Sequence, residues 1–185
     1  MKATGIVRRI DDLGRIVIPI EIRRQMKIRD GDPLEIFVEK DGEVILKKYS
    51  VLADLSEFGR EIVNSLHEAT GHIAILVDRD EVVAVAGVEE RQYAGFGIGQ
   101  VVLEAMDQRE RRQYGPGHHD HEGSILESHG TDCIFQSEIV VPIVVAGDPI
   151  GAFIVASTDE SAILGEMEVK LTETAAGFLA RHMEE

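Results

Sequence analysis

The chain has a single cysteine, Cys133, no tryptophan, and aromatic residues at only 5%. One cysteine excludes an intrachain disulfide and any multi-cysteine zinc site, and it suits a reducing compartment. No run approaches the roughly 18 apolar residues that a membrane span requires. Met1-Lys2-Ala3-Thr4 lacks the apolar core of a secretion signal, so a cytoplasmic protein with no membrane partner is expected. No Gly-x-Gly-x-x-Gly motif opens a helix. Phe96-Gly97-Ile98-Gly99 is too short for a phosphate loop and reads instead as the start of a helix at Ile98. The carboxylates are spread along the chain with no paired motif for acid–base catalysis, so no enzyme and no catalytic residue are expected.

What is present is charge, and it is unevenly placed. The net charge of −15 over 185 residues would by itself argue against nucleic acid as a partner. Residues 1–49, however, carry 11 Lys and Arg against 9 Asp and Glu, a net of +2, which leaves −17 for residues 50–185. Such asymmetry points to two units with different partners, a basic head over residues 1–50 and an acidic domain over 51–185.

In the head, residues 4–10 are rich in β-branched side chains and end at the turn-forming Asp11-Asp12-Leu13-Gly14, and residues 15–18 resume as a second short strand. Pro19 suits the entry to a helix over 20–27, with Ile22 and Met26 on one stripe and Arg23 and Arg24 off it. Gly31-Asp32-Pro33 breaks the chain. Residues 34–39 and 43–47 then read as a hairpin joined at Asp41-Gly42. Four short strands and one short helix in about 49 residues bury too little surface to stand alone, so dimerisation is expected. A two-fold dimer presents Arg8, Arg9, Arg15, Arg23 and Arg24 twice. The planar fork of arginine suits phosphates and guanine edges, although spacing alone is equally compatible with solvated charges.

The run from Lys2 to Arg24, continued by Gly31-Asp-Pro-Leu-Glu-Ile-Phe-Val38 and Gly42-Glu-Val-Ile-Leu-Lys-Lys-Tyr49, resembles the AbrB/SpoVT-type swapped-hairpin DNA-binding domain. The likeness covers residues 2–49 almost without interruption. It implies that two chains exchange hairpins to form one β-barrel with arginines facing double-stranded DNA. The family's DNA-contacting positions fall on Arg8, Arg15, Arg23 and Arg24, with Arg9 at a position that is basic in relatives and Lys2 as a weaker candidate.

In the acidic domain, Leu52, Leu55, Phe58, Ile62 and Leu66 have helical spacing up to Gly71. Strands are expected over 72–77 and 82–86, a helix over 98–112, a hairpin of 136–145 with 149–157, and a closing helix over 166–185. This is an α+β plan, an antiparallel sheet with flanking helices. It is similar to a GAF domain, a module that commonly binds small molecules over its sheet. Val140-Val-Pro-Ile143, Gly147-Asp-Pro-Ile-Gly151 and Glu173-Thr-Ala-Ala-Gly-Phe-Leu-Ala180 carry that likeness. Taken together, the two halves resemble a family of regulators of late, forespore gene expression in spore-forming bacteria, which activate some genes and repress others. The likeness implies a homotetramer in which the C-terminal domains pair the N-terminal dimers. No cofactor is expected beyond an unidentified small-molecule ligand of the GAF-like domain.

Several features admit two readings. His118-His119-Asp120-His121, with His129 and Cys133, could supply metal ligands, but adjacent histidines in a loop cannot all face one ion, and a polar surface loop with no metal is the simpler account. Tyr93, Tyr114 and Phe135 could line a pocket or simply belong to the core. An antitoxin shares the head's fold but would carry a disordered toxin-binding tail in place of a folded domain. A ligand-binding module alone would show no affinity for DNA.

Overall fold

The computed structural model describes residues 5–40, 42–50, 52, 55–89, 93, 96–116, 125–127 and 135–184. The chain separates into two compact units, Met1–Tyr49 and Ser50–Glu185.

In the first unit α1 (Ile20–Gln25) follows Pro19, whose φ of −57° leads into the helix. It stops where Lys27 turns left-handed at φ 51° and the Ile28 N–H returns to the Arg23 carbonyl, two residues short of the span expected from the sequence. Strands β1 (Leu34–Val38) and β2 (Val44–Lys48) form the expected antiparallel hairpin, in register from Leu34↔Lys48 to Val38↔Val44. Gly42 takes φ +82° in its turn, a conformation that L side chains rarely adopt; Asp41 lies outside the described residues.

The two strands expected over 4–10 and 15–18 are not formed among the described residues. Backbone hydrogen bonds close the turn between them, from Asp11 N to Arg15 O and from Gly14 N to Asp11 O. A strand exists only against a ladder partner, and β1 and β2 pair with each other. As a result Val7, Ile10, Leu13 and Val17 are exposed, and among the described residues of this unit Pro19 alone is buried.

The second unit is built on a five-stranded antiparallel sheet of order β4-β3-β9-β8-β6. Its elements are α2 (Ser56–Thr70), β3 (Ile73–Val77), β4 (Val82–Ala86), β5 (Gly97–Ile98), α3 (Gln100–Gln108), β6 (Arg112–Tyr114), β7 (Leu126–Glu127), β8 (Ser137–Val145), β9 (Asp148–Ser157) and α4 (Glu166–His182). Both faces of the sheet are covered. On one, Leu76, Ile139, Ile143 and Phe153 pack with Val63 and Leu66 of α2 and with Val169, Ala176 and Leu179 of α4. On the other, Ile75, Val77, Val140 and Ile154 pack with Val101, Val102, Ala105 and Met106 of α3. Burial on both sides explains why β3 reads as an unbroken apolar run, Ile-Ala-Ile-Leu-Val, with no alternation.

The helix expected over 98–112 is shorter. It ends at Gln108, Arg109 takes a left-handed φ of 55°, and Arg112 begins the edge strand β6, paired Arg112↔Val140 against β8. The open edge of β8 supplies ladder hydrogen bonds that local periodicity does not reveal. Among the described residues, no helix is long and apolar enough to cross a membrane.

Candidate nucleic-acid interface

The candidate residues of the head stand on two supports. Arg8, Arg9 and Arg15 flank the 11–14 turn on exposed backbone, and Arg23 and Arg24 occupy the last turn of α1. Lys2 lies outside the described residues. None of the residues of α1 is fully buried; Arg24 is exposed, whereas Arg23 is half-buried.

The turn is organised by one side chain. Asp11 Oδ1 accepts hydrogen bonds from the N–H groups of Leu13 at 3.0 Å and Arg15 at 2.8 Å, and Oδ2 accepts from Arg15 Nε at 2.8 Å. The backbone N–H and then the guanidinium of Arg15 hold the Asp11 carboxyl below the ordinary aspartate range. Arg23 is held differently, by Nη1 donating to Asp30 Oδ1 at 2.6 Å, with its Nε buried. Arg8 makes a 3.3 Å contact from Nη1 to the carbonyl of Val7, and Arg24 is exposed. The hairpin is tied back to the helix by Lys48, whose Nζ donates to the Lys27 carbonyl at 2.9 Å and lies 3.2 Å from Asp32 Oδ2. Burial pushes the Asp32 carboxyl up, but the Arg29 N–H and Lys48 outweigh it, so the group titrates below its usual range. Sequence reasoning missed Asp11 and Asp30. An acid four residues before an arginine is a helix signal, and here the same spacing operates across a turn.

In the second unit, Tyr93 and Phe135 stack with centroids 6.3 Å apart, and Phe96 lies 5.5 Å from Tyr93. Tyr93 and Phe135 are buried in the core on the α3 face, with Tyr114 packed against it, so their place is the core. His118, His119, Asp120, His121, His129 and Cys133 lie outside the described residues. Among the described residues, no group of three or more His, Cys, Asp or Glu is placed to hold a metal ion.

A head with arginines around an exposed turn and on a short helix, followed by an acidic sheet domain with helices on both faces, defines a two-part DNA-binding regulator. The sequence profile described as "Stage V sporulation protein T C-terminal, transcription factor" matches residues 54–184, and that described as "Antidote-toxin recognition MazE, bacterial antitoxin" matches residues 7–52. Stage V sporulation protein T of Bacillus subtilis is 49% identical over the whole of both chains. The chain belongs to the stage V sporulation protein T family of transcription factors. Over 49 residues, 26% of this chain and 50% of the relative, it is 61% identical to the transition state regulatory protein AbrB of the same organism. The fold of the second unit is that of a GAF domain. The GAF domain of an Acinetobacter phosphoenolpyruvate-protein phosphotransferase superposes with a TM-score of 0.57 at 14% identity, covering 73% of this chain and 82% of that one.

Proposed function

We propose that this sporulation transcription regulator binds double-stranded DNA through Arg8, Arg15, Arg23 and Arg24, assisted by Arg9 and Lys2, as a hairpin-swapped dimer paired into a tetramer by its GAF-like units. The observation that carries the reading is the pairing of these arginines on a unit of net charge +2 with a remainder of −17. Phosphate contacts then supply affinity, a minority of arginines read base edges, and the acidic bulk is repelled from DNA and orients docking.

The need for a second chain follows from burial. Val7, Ile10, Leu13, Val17 and Val38 are exposed, and an apolar side chain of this size is worth about 1.5–3 kcal/mol when buried. The target genes are those expressed late in the forespore, some activated and some repressed, in the cytoplasm. A small molecule bound by the GAF-like unit modulates this activity, and the protein uses no metal or other cofactor.

The test is selection of duplexes from a random-sequence DNA pool by the full chain, followed by affinity measurements on arginine-to-alanine variants. Each of Arg8→Ala, Arg15→Ala, Arg23→Ala and Arg24→Ala is expected to weaken binding to the selected duplex by about tenfold. Wild-type affinity in the quadruple variant would overturn the reading. The match of residues 7–52 to an antitoxin profile favours a second, antitoxin-like reading of the head, but such a protein would carry a disordered toxin-binding tail where this chain has the compact unit Ser50–Glu185.

A further inference from the structure

We infer that Asp11 is a positioning residue for DNA contact by Arg15, restricting its guanidinium to an end-on approach. The inference rests on the proposed role of Arg15 and adds to it a residue that no DNA-contacting pattern in the sequence singles out. Asp11 divides its carboxylate between two tasks. Oδ1 takes the backbone N–H groups of Leu13 and Arg15, which immobilises the carboxylate on the turn; Oδ2 takes Arg15 Nε. The side chain of Arg15 is still 71% exposed. Its Nη1 and Nη2 have no hydrogen-bond partner among the described residues, so the two terminal nitrogens are left to bind outward.

That arrangement has a definite chemical consequence. An arginine can meet a pair of acceptors through Nη1 and Nη2 or through Nε and one Nη. With Nε occupied, only the first, end-on fork is available, and it matches the O6 and N7 acceptors of guanine or two phosphate oxygens. A long, rotamer-rich side chain is thereby ordered before DNA arrives, so less freedom is lost on binding. Arg23 is held in the opposite sense. Its Nη1 is engaged by Asp30 and its Nε is buried, so an end-on fork there must first displace a carboxylate.

Charge alone and positioning predict opposite signs. Removing the negative charge of Asp11 beside a polyanion should tighten binding if only the field matters. If Asp11 positions Arg15, binding should weaken. Asp11→Asn separates the two cleanly, because its Oδ1 can still accept from Leu13 and Arg15 N–H while its amide nitrogen meets the Nε–H donor to donor.

The experiment measures affinity of the full chain for a selected duplex in wild type, Asp11→Asn, Arg15→Ala and the double variant. Asp11→Asn is expected to weaken specific binding by about five- to tenfold, and to have no further effect in the Arg15→Ala background. Equal losses in both backgrounds would assign Asp11 to the turn alone and overturn the inference. Unchanged or tighter binding by Asp11→Asn, with Arg15→Ala weakened, would also overturn it while leaving the reading of Arg15 intact. No effect of Arg15→Ala would instead defeat that reading. In the unsubstituted protein, the Arg15 Nε–H resonance should be protected from solvent exchange at neutral pH. Fast exchange there would overturn the inference without recourse to any variant.

Discussion

Gly151 of β9 and the carbonyl oxygen of Val77 approach so closely that no β-carbon fits between them, and the methyl of Leu52 closes the same space from the side. Residue 151 pairs with Ile143 on one side of β9, and its neighbour Ala152 pairs with Val77 on the other, so the clash would fall in the middle of the sheet. Overpacking of a rigid site costs about 1–3 kcal/mol. Gly151→Ala should therefore lower the melting temperature by roughly 3–10 °C, read by thermal unfolding; at the turn residues Gly14, Gly42 and Gly147, by contrast, no atom lies within 4 Å of the β-carbon position. An unchanged Tm would show that β3 and β9 can separate freely.

Glu168 supplies half of a capping box for α4. Its Oε2 accepts from the Gly165 N–H at 2.7 Å, an amide that the helix itself leaves without a partner, and glycine has no side chain to return the bond. Glu168→Ala should cost about 1 kcal/mol, or roughly 2–4 °C in Tm. Glu168→Gln, which can still accept through its amide oxygen, should recover most of that loss.

Glu81 provides a test through pH. Burial raises its carboxyl above the ordinary value of 4.5, and Asp78 and Asp80 raise it further. The folded state therefore holds this proton more tightly than the unfolded chain does. The associated stability is present below pH 4.5 and is lost as pH rises through the folded value. Glu81→Gln should raise Tm at pH 7 by about a degree, and the gain should vanish as pH falls below 4.5. Glu173 has the opposite sign: hydrogen bonds from Lys170 and Arg111 lower its carboxyl, so Glu173→Gln should cost stability at pH 7 and nothing in acid. Matched melts of the two variants from pH 3 to 7 check both directions.

Four arginines per chain in a dimer would neutralise about eight phosphates, which sets a slope near −7 for log K against log salt. Titrations of a selected duplex from about 50 to 200 mM salt measure it. A slope flatter than about −3 is incompatible with all four engaging.

The helix α4 exposes Met167 and Phe178 although both are large and apolar, and Phe58 lies 5.9 Å from Phe178. If this face pairs two copies, light scattering of the full chain should give a tetramer, and Phe178→Glu should reduce it to a dimer that melts close to wild type. A plain dimer of the unsubstituted chain at micromolar concentration would remove the GAF-like unit from assembly.

Much of this was legible from local pattern. The division of charge, the Asp-Gly hairpin, α2 ending at Gly71 and the hairpin of β8 and β9 depend on residues close in sequence, where turn chemistry and periodicity act directly. The order β4-β3-β9-β8-β6 was not legible, because β9 reaches its place between β3 and β8 through long-range pairing. For the same reason Arg112 was assigned to a helix when it starts an edge strand. The strands missing from residues 5–19 mark the limit in the other direction. There the sequence carries the β-branched residues of strands around a turn, but a ladder needs a partner that one copy does not provide. The sequence by itself determined the identities and order of the arginines in the head. Only the tertiary structure decided that Asp11 occupies Nε of Arg15 and Asp30 occupies Nη1 of Arg23, because which nitrogen a carboxylate meets is set by the path of the turn and not by the spacing along the chain.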